Sequence, residues 1–140
     1  VTVLVLAVPR VFAHREGRAF AAVKGDGSVV TWGYEDASST SGAVKAELRD
    51  GVEHVFWTHG AVAAMKEDGS AVTWSDDLGA GNSDAVKGQL ASGVRRVVGN
   101  GSAFAAVQES GSVVTWGKRD RGGNSDGVKS KLQGGVDFLV

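Results

Sequence analysis

Three stretches decide the reading of this chain: Gly27-Ser28-Val29-Val30-Thr31-Trp32, Gly69-Ser70-Ala71-Val72-Thr73-Trp74 and Gly111-Ser112-Val113-Val114-Thr115-Trp116. Each copy follows the previous one at an offset of 42 residues. The same offset links Ala19, Ala61 and Ala103; Ser41, Ser83 and Ser125; Val44, Val86 and Val128; Leu48, Leu90 and Leu132; and Gly51, Gly93 and Gly135. Self-similarity at one fixed period marks a tandem repeat. The 140 residues are therefore expected to form a single repeat domain, 1–140, of three units at about 8–51, 52–93 and 94–140. The first unit carries two extra residues around His14 to Arg18 and a divergent lead-in from Val1 to Arg10.

Within a unit, Gly93 to Val98 is rich in β-branched residues and runs into Gly99-Asn100-Gly101. An Asn-Gly pair favours the positive φ angles of a tight hairpin turn, so a first hairpin is expected to close there. Ala103 to Val107 then reaches a Ser110-Gly111 turn, matched by Asp26-Gly27 and Asp68-Gly69, and returns as Val113 to Trp116. Each unit thus reads as a three-strand antiparallel meander. The middle strands are apolar at nearly every position, which predicts sheets covered on both faces by neighbouring sheets. After the Trp comes a polar loop, and Ser83 to Leu90 then places Val86 and Leu90 four apart behind an Asn/Ser/Asp start that suits capping. Ser41 to Leu48 and Ser125 to Leu132 repeat this, so one or two helical turns belong to every unit. The fold class expected is mainly β, three meanders each with a short helix, arranged as a partial β-propeller or an open stack.

Composition removes several function classes. The chain has 42% hydrophobic and 22% charged residues, 21 Gly, one Pro and no Cys. Such values describe an ordinary soluble globular protein with many tight turns. Without Cys there is no disulfide framework, zinc-thiolate site or cysteine nucleophile. A net charge of −1 provides no field to gather nucleic acid or an anionic membrane. Val1 to Val8 is the longest apolar run and is too short to span a bilayer, so it reads as a buried strand. It lacks the basic start and cleavage site of a secretory signal, which favours a cytoplasmic or nuclear protein, and a chain without an initiating Met is expected to be a fragment or a processed product.

The run Gly93-Val94-Arg95-Arg96-Val97-Val98-Gly99, followed by Ala103 to Gly111 and by Ser112-Val113-Val114-Thr115-Trp116-Gly117, resembles the regulator-of-chromosome-condensation repeat. Its compactness is similar to that of the propeller-shaped β-lactamase inhibitor proteins. The resemblance extends over nearly everything from Val11 onward. It implies a β-propeller whose loops form a protein-binding face, used for nucleotide exchange, chromatin docking, ubiquitin-ligase accessory roles or enzyme inhibition. Two departures count against nucleotide exchange. The usual His after the glycine turn is replaced by Phe20, Val62 and Phe104, and Gly81-Asn82-Ser83-Asp84 and Gly123-Asn124-Ser125-Asp126 stand where that family has Gly-Gln-Leu-Gly. The resemblance carries over no catalytic residue. Propellers close with about 4 to 8 blades. Three units are therefore expected to belong to a longer array, to self-associate into a completed ring, or to stay open as a stack.

No motif in the chain assembles chemistry. Gly111 to Lys118 has the wrong spacing for a phosphate loop, and Gly79-Ala80-Gly81 opens no βαβ unit. His14, His54 and His59 lie near turns, and His54 and His59 are five apart without the partners a metal needs. Ser41, Ser83 and Ser125 are repeat positions, which favours structure over a Ser-His-Asp nucleophile. Neither catalysis, nor a metal, nor a cofactor is expected. Charge varies instead. Ala19 to Gly60 carries −3, Ala61 to Ser102 carries −1 and Ala103 to Val140 carries +1. The loop after the Trp changes most, from Tyr34-Glu35-Asp36 through Asp76-Asp77 to Lys118-Arg119-Asp120-Arg121. Variable loops on a constant scaffold are how repeat proteins select partners. The residues expected to bind a protein partner are Glu35, Asp36, Asp76, Asp77, Lys118, Arg119 and Arg121, with Trp57 as an aromatic anchor. Trp32, Trp74, Trp116, Gly27, Gly69 and Gly111 are expected as structural anchors of the repeat. Two alternatives remain open: substrate-recruiting repeats of a larger enzyme, of ubiquitin-ligase or nucleotide-exchange type, or sugar or nucleic-acid binding through the Trp series.

Overall fold

A computed structural model describes residues 10–14, 19–33, 42–75 and 81–137. The β-branched stretches form nine strands: β1 (Arg10–Ala13), β2 (Ala19–Val23), β3 (Val29–Gly33), β4 (Val52–Trp57), β5 (Ala61–Lys66), β6 (Ala71–Ser75), β7 (Val94–Gly99), β8 (Ala103–Gln108) and β9 (Val113–Gly117). They pair antiparallel as three separate sheets in the orders β1-β2-β3, β4-β5-β6 and β7-β8-β9. The fold is mainly β, a propeller-like stack of three meanders. The short helices follow the strands: α1 (Gly42–Glu47), α2 (Lys87–Leu90) behind a 3₁₀ turn Asp84–Val86, and in the third unit a 3₁₀ segment Asp126–Lys131. The apolar lead-in Val1 to Val8 lies outside the described residues.

The second hairpin of each unit closes where the sequence places it. Gly27, Gly69 and Gly111 have φ of 77°, 79° and 80°, a region L side chains rarely adopt. Each turn also lies against the backbone that links its unit to the next. A Cβ on Gly111 would sit 2.8 Å from the Gly135 nitrogen, and one on Gly69 3.1 Å from that of Gly93. The contact is sealed by backbone bonds from Val52 N–H to the Gly27 carbonyl (3.0 Å), Val94 to Gly69 (2.8 Å) and Val136 to Gly111 (3.0 Å). In the first two turns Asp26 Oδ1 accepts from Ser28 N–H and Oγ–H, and Asp68 Oδ1 accepts from Ser70 in the same way.

The first hairpin differs from expectation. Neither Asn100 nor Gly101 has positive φ. The Asn100 side chain closes the turn instead, its Oδ1 accepting from Ser102 N–H and Ala103 N–H, both at 2.8 Å. An Asx-type closure satisfies the loop donors without the mirror-image turn. The helix starts differ as well. Ser83 makes no capping bond. Asn82 Oδ1 accepts from Asp84 N–H, and Asn124 Oδ1 accepts from Asp126 N–H.

Residues opposite each other in an antiparallel pair share a face, so the registers divide each sheet into two faces. Val55, Val62, Ala64 and Trp74 of the second sheet pack with Ala21 and Val23 of the first and with Leu48 beyond α1. Val97, Phe104, Ala106, Val114 and Trp116 of the third pack with Ala61 and Ala63 of the second and with Leu90 of α2. Thus β5 is covered on both sides, as its apolar run predicts. β2 is not, because Phe20 on its outer face is exposed. The anchors divide accordingly: Trp74 and Trp116 are 5% and 3% exposed, whereas Trp32 is 45% exposed. Trp32 stands at the repeat position but on the face of the first sheet that, among the described residues, no other sheet covers.

Candidate functional site

The loop after Trp116 is the one post-Trp loop described throughout. Glu35, Asp36, Asp76 and Asp77, the acidic candidates of the first two loops, lie outside the described residues. From Gly117, with φ of 110°, the chain enters Lys118 and a 3₁₀ turn Arg119–Arg121, which ends at Gly122 in the left-handed region. Lys118 N–H donates to the Ser102 carbonyl at 3.0 Å, and Asn100 Nδ2 donates to the Arg121 carbonyl at 2.9 Å. The turn between β7 and β8 therefore supports the loop from beneath. On its far side Thr115 Oγ1 donates to Ser125 Oγ at 2.9 Å, as Thr73 does to Ser83 at 2.8 Å one repeat earlier. Backbone bonds and short side chains fix the loop, so the long side chains of Lys118, Arg119 and Arg121 point outward and are exposed.

Between this loop and the 3₁₀ turn of the second unit lies a cleft of about 520 Å³. Trp116, Gly117, Lys118 and Arg119 line one wall, and Asn82 and Val86 line the other. A smaller depression of about 220 Å³ continues past Arg119 toward Gln89, Asp126 and Lys129. Lys118, Arg119 and Lys129 set positive charge along this line, and Asp84, Asp120 and Asp126 interrupt it. An ion pair within the loop, Arg121 Nε to Asp120 Oδ2 at 3.8 Å, is exposed on both sides and worth at most about 1 kcal/mol. It leaves Arg121 able to exchange partners. Trp116 Nε1–H is buried without a hydrogen-bond partner, as Trp74 Nε1–H is one repeat earlier.

Trp57 is no displayed anchor. It ends β4 half-buried, edge-on to His14 at 5.6 Å between ring centroids, with its Nε1 buried. The three Trp do not form an exposed stacking ladder either, since Trp74 and Trp116 are packed between sheets. Sequence reasoning missed the work of the histidines. His14 Nε2 lies 2.8 Å from the Thr58 carbonyl and His59 Nδ1 lies 2.7 Å from the Gly101 carbonyl. Each ring bonds its unit to a turn of the next. His54 stands between the rings of Phe12 and Phe56. Among the described residues no group of three or more His, Asp or Glu is placed to hold a metal ion, and no helix is long and apolar enough to cross a membrane.

Fold and cleft together define a mainly β tandem-repeat protein. No protein-family model and no curated protein matches the chain. Among solved structures, the crystal structure of human WBSCR16 is similar over 77% of this chain and 32% of that one, at 18% sequence identity and a TM-score of 0.49. The chain thus spans about a third of the length of that protein.

Proposed function

We propose that this chain is a non-catalytic protein-interaction module that binds an extended segment of a partner in the cleft between its second and third units. One observation carries the proposal: the cleft is walled by loops that the strands hold in place, and its rim presents Lys118 and Arg119 to solvent, with Arg121 exposed on the same loop. Repeat proteins keep a constant framework and place recognition in such loops. Val86, Ala85 and the edge of Trp116 suit a small apolar side chain, and the rim suits flanking carboxylates.

A displayed peptide library selected on the immobilised chain tests this. Recovered peptides are expected to carry an apolar residue flanked by Asp or Glu. Their affinity is expected to fall at least tenfold against the Lys118→Glu, Arg119→Glu, Arg121→Glu triple variant, with its melting temperature unchanged. A selection that enriches nothing, or peptides indifferent to the charge reversal, would overturn the assignment.

A further inference from the structure

The outer face of the first sheet carries the same six positions that are covered in the other two. By register, Val11, Ala13, Phe20, Ala22, Val30 and Trp32 share that face. Their counterparts are Val55, Trp57, Val62, Ala64, Val72 and Trp74 in the second sheet, and Val97, Gly99, Phe104, Ala106, Val114 and Trp116 in the third. Val72 and Val114 are 8% and 5% exposed, but Val30 is 49%. The face is already shaped for cover: Phe20 and Trp32 stack at 5.5 Å and 20°, as Phe104 and Trp116 do at 5.4 Å and 25° inside the core. The opposite end of the stack has the matching gap. Leu48 and Leu90, which close the two internal interfaces, are 5% and 2% exposed, whereas their counterpart Leu132 is half-buried and Val128 beside it is 46% exposed.

The two internal interfaces show what covers such a face: the inner strand face and helical segment of the preceding unit. We infer that the outer face of the first sheet is covered by the third unit of a second copy of this chain, docked head to tail. Trp32, Phe20 and Val30 then receive Val128, Leu132 and the half-buried Ala105 and Val113 on the inner face of β8 and β9. A polar contact supports the register. Lys66 Nζ donates to the Glu47 carbonyl at 2.8 Å and Gln108 Nε2 donates to the Gln89 carbonyl at 2.6 Å, one repeat apart. Lys24, one repeat before Lys66, is exposed on this open side, and the matching acceptor is the carbonyl of Lys131 in the second copy. Two copies supply six sheets, within the range of about four to eight at which propellers close. A head-to-tail contact either closes so or propagates.

Light scattering on a sizing column, run over a concentration series, reads the assembly directly. The expected mass is twice 14.4 kDa, and Trp32→Asp or Val128→Asp alone should each raise the dissociation constant at least tenfold. Both residues are exposed in the single chain, so both variants should keep its circular dichroism. Mixing the two variants should restore a dimer, because one retains each half of a single interface. Larger assemblies broken by the same two substitutions carry the same meaning. A monomer at every concentration would overturn the inference. So would a dimer that Val128→Asp leaves intact, since that is two first sheets meeting face to face, or a mixture of the variants that stays monomeric.

Discussion

Gly69 and Gly88 carry opposite weights although they are the same residue. Gly69 has φ of 79° with the Gly93 nitrogen 3.1 Å from where a Cβ would stand. Gly69→Ala is expected to lose about 1 to 2 kcal/mol, from the left-handed backbone together with the close approach. Gly88 lies in α2 with nothing within 4 Å of its added Cβ, so Gly88→Ala is expected to gain roughly 0.5 to 1 kcal/mol. Urea midpoints check both, and a Gly69→Ala chain as stable as its parent would show that the turn does not need glycine. The neighbouring carboxylates give a pH dependence. Hydrogen bonds from the Ser28 hydroxyl and then from its N–H hold Asp26 below its ordinary value of 3.8, and Ser70 does the same for Asp68. A lowered folded pKa contributes stability above the unfolded value and loses it as pH falls through the folded one. From about pH 4 to about pH 2 the melting temperature should therefore drop more steeply in the parent than in the Asp26→Ser, Asp68→Ser variant. That variant copies Ser110 of the third turn, whose hydroxyl bonds Ser112 Oγ at 2.8 Å; equal slopes would remove these turns as the source. The glycine turns were legible because Gly-Ser recurs where the chain must reverse. The Asn100 turn was misread because Asn-Gly serves two closures, and the side-chain bonds that choose between them are not written in the dipeptide.

At the scale of elements, the three Trp separate recurrence from burial. Trp74 joins the core between the first two sheets, and Trp74→Ala is expected to cost about 3 to 5 kcal/mol through the cavity it leaves. Trp32→Ala, measured at a concentration where the chain is monomeric, is expected to cost less than about 1 kcal/mol, in line with exposed positions. Similar losses at the two positions would mean that the outer face of the first sheet is covered within one chain. The period of 42 residues identified the Trp position, the meander and the helical turn, since each is set by residues within a unit. It was silent on which Trp is covered, because a strand face is buried by the neighbouring sheet. The histidines escaped for the same reason. His59 reaches the Gly101 carbonyl across a unit boundary, and since Gly, not His, stands 42 residues on, the ring leaves no periodic trace. The cleft was half legible: the charge change from Tyr34-Glu35-Asp36 to Lys118-Arg119-Asp120-Arg121 marked its loop, but its second wall, Asn82 to Val86, comes from the preceding unit.

Across the whole molecule, stability should follow the number of neighbours each sheet has. In a stack where units touch only those beside them, each unit contributes its own folding energy plus one term per interface. The second sheet has two such interfaces, one built on Trp74 and Leu48, the other on Ala61, Ala63 and Leu90. The first sheet has one, and its outer face carries exposed Val30 and Trp32. Opening the first sheet alone breaks one interface, whereas opening the second breaks two. Amide hydrogen exchange on the monomeric chain should therefore be faster in the two outer sheets, with Ala21 and Ala22 of β2 and Ala105 and Ala106 of β8 as reporters, than in β5, with Ala63 and Ala64. An opening that breaks one interface fewer, at even about 1.4 kcal/mol per interface, separates the two sets at least tenfold. Raising the concentration into the range of head-to-tail assembly should then slow exchange in the first and third sheets but not in β5, since the added interface joins the first sheet of one copy to the third unit of the other. Uniform protection across all three sheets would instead identify one cooperative unit, in which the repeat governs the sequence but not the energetics.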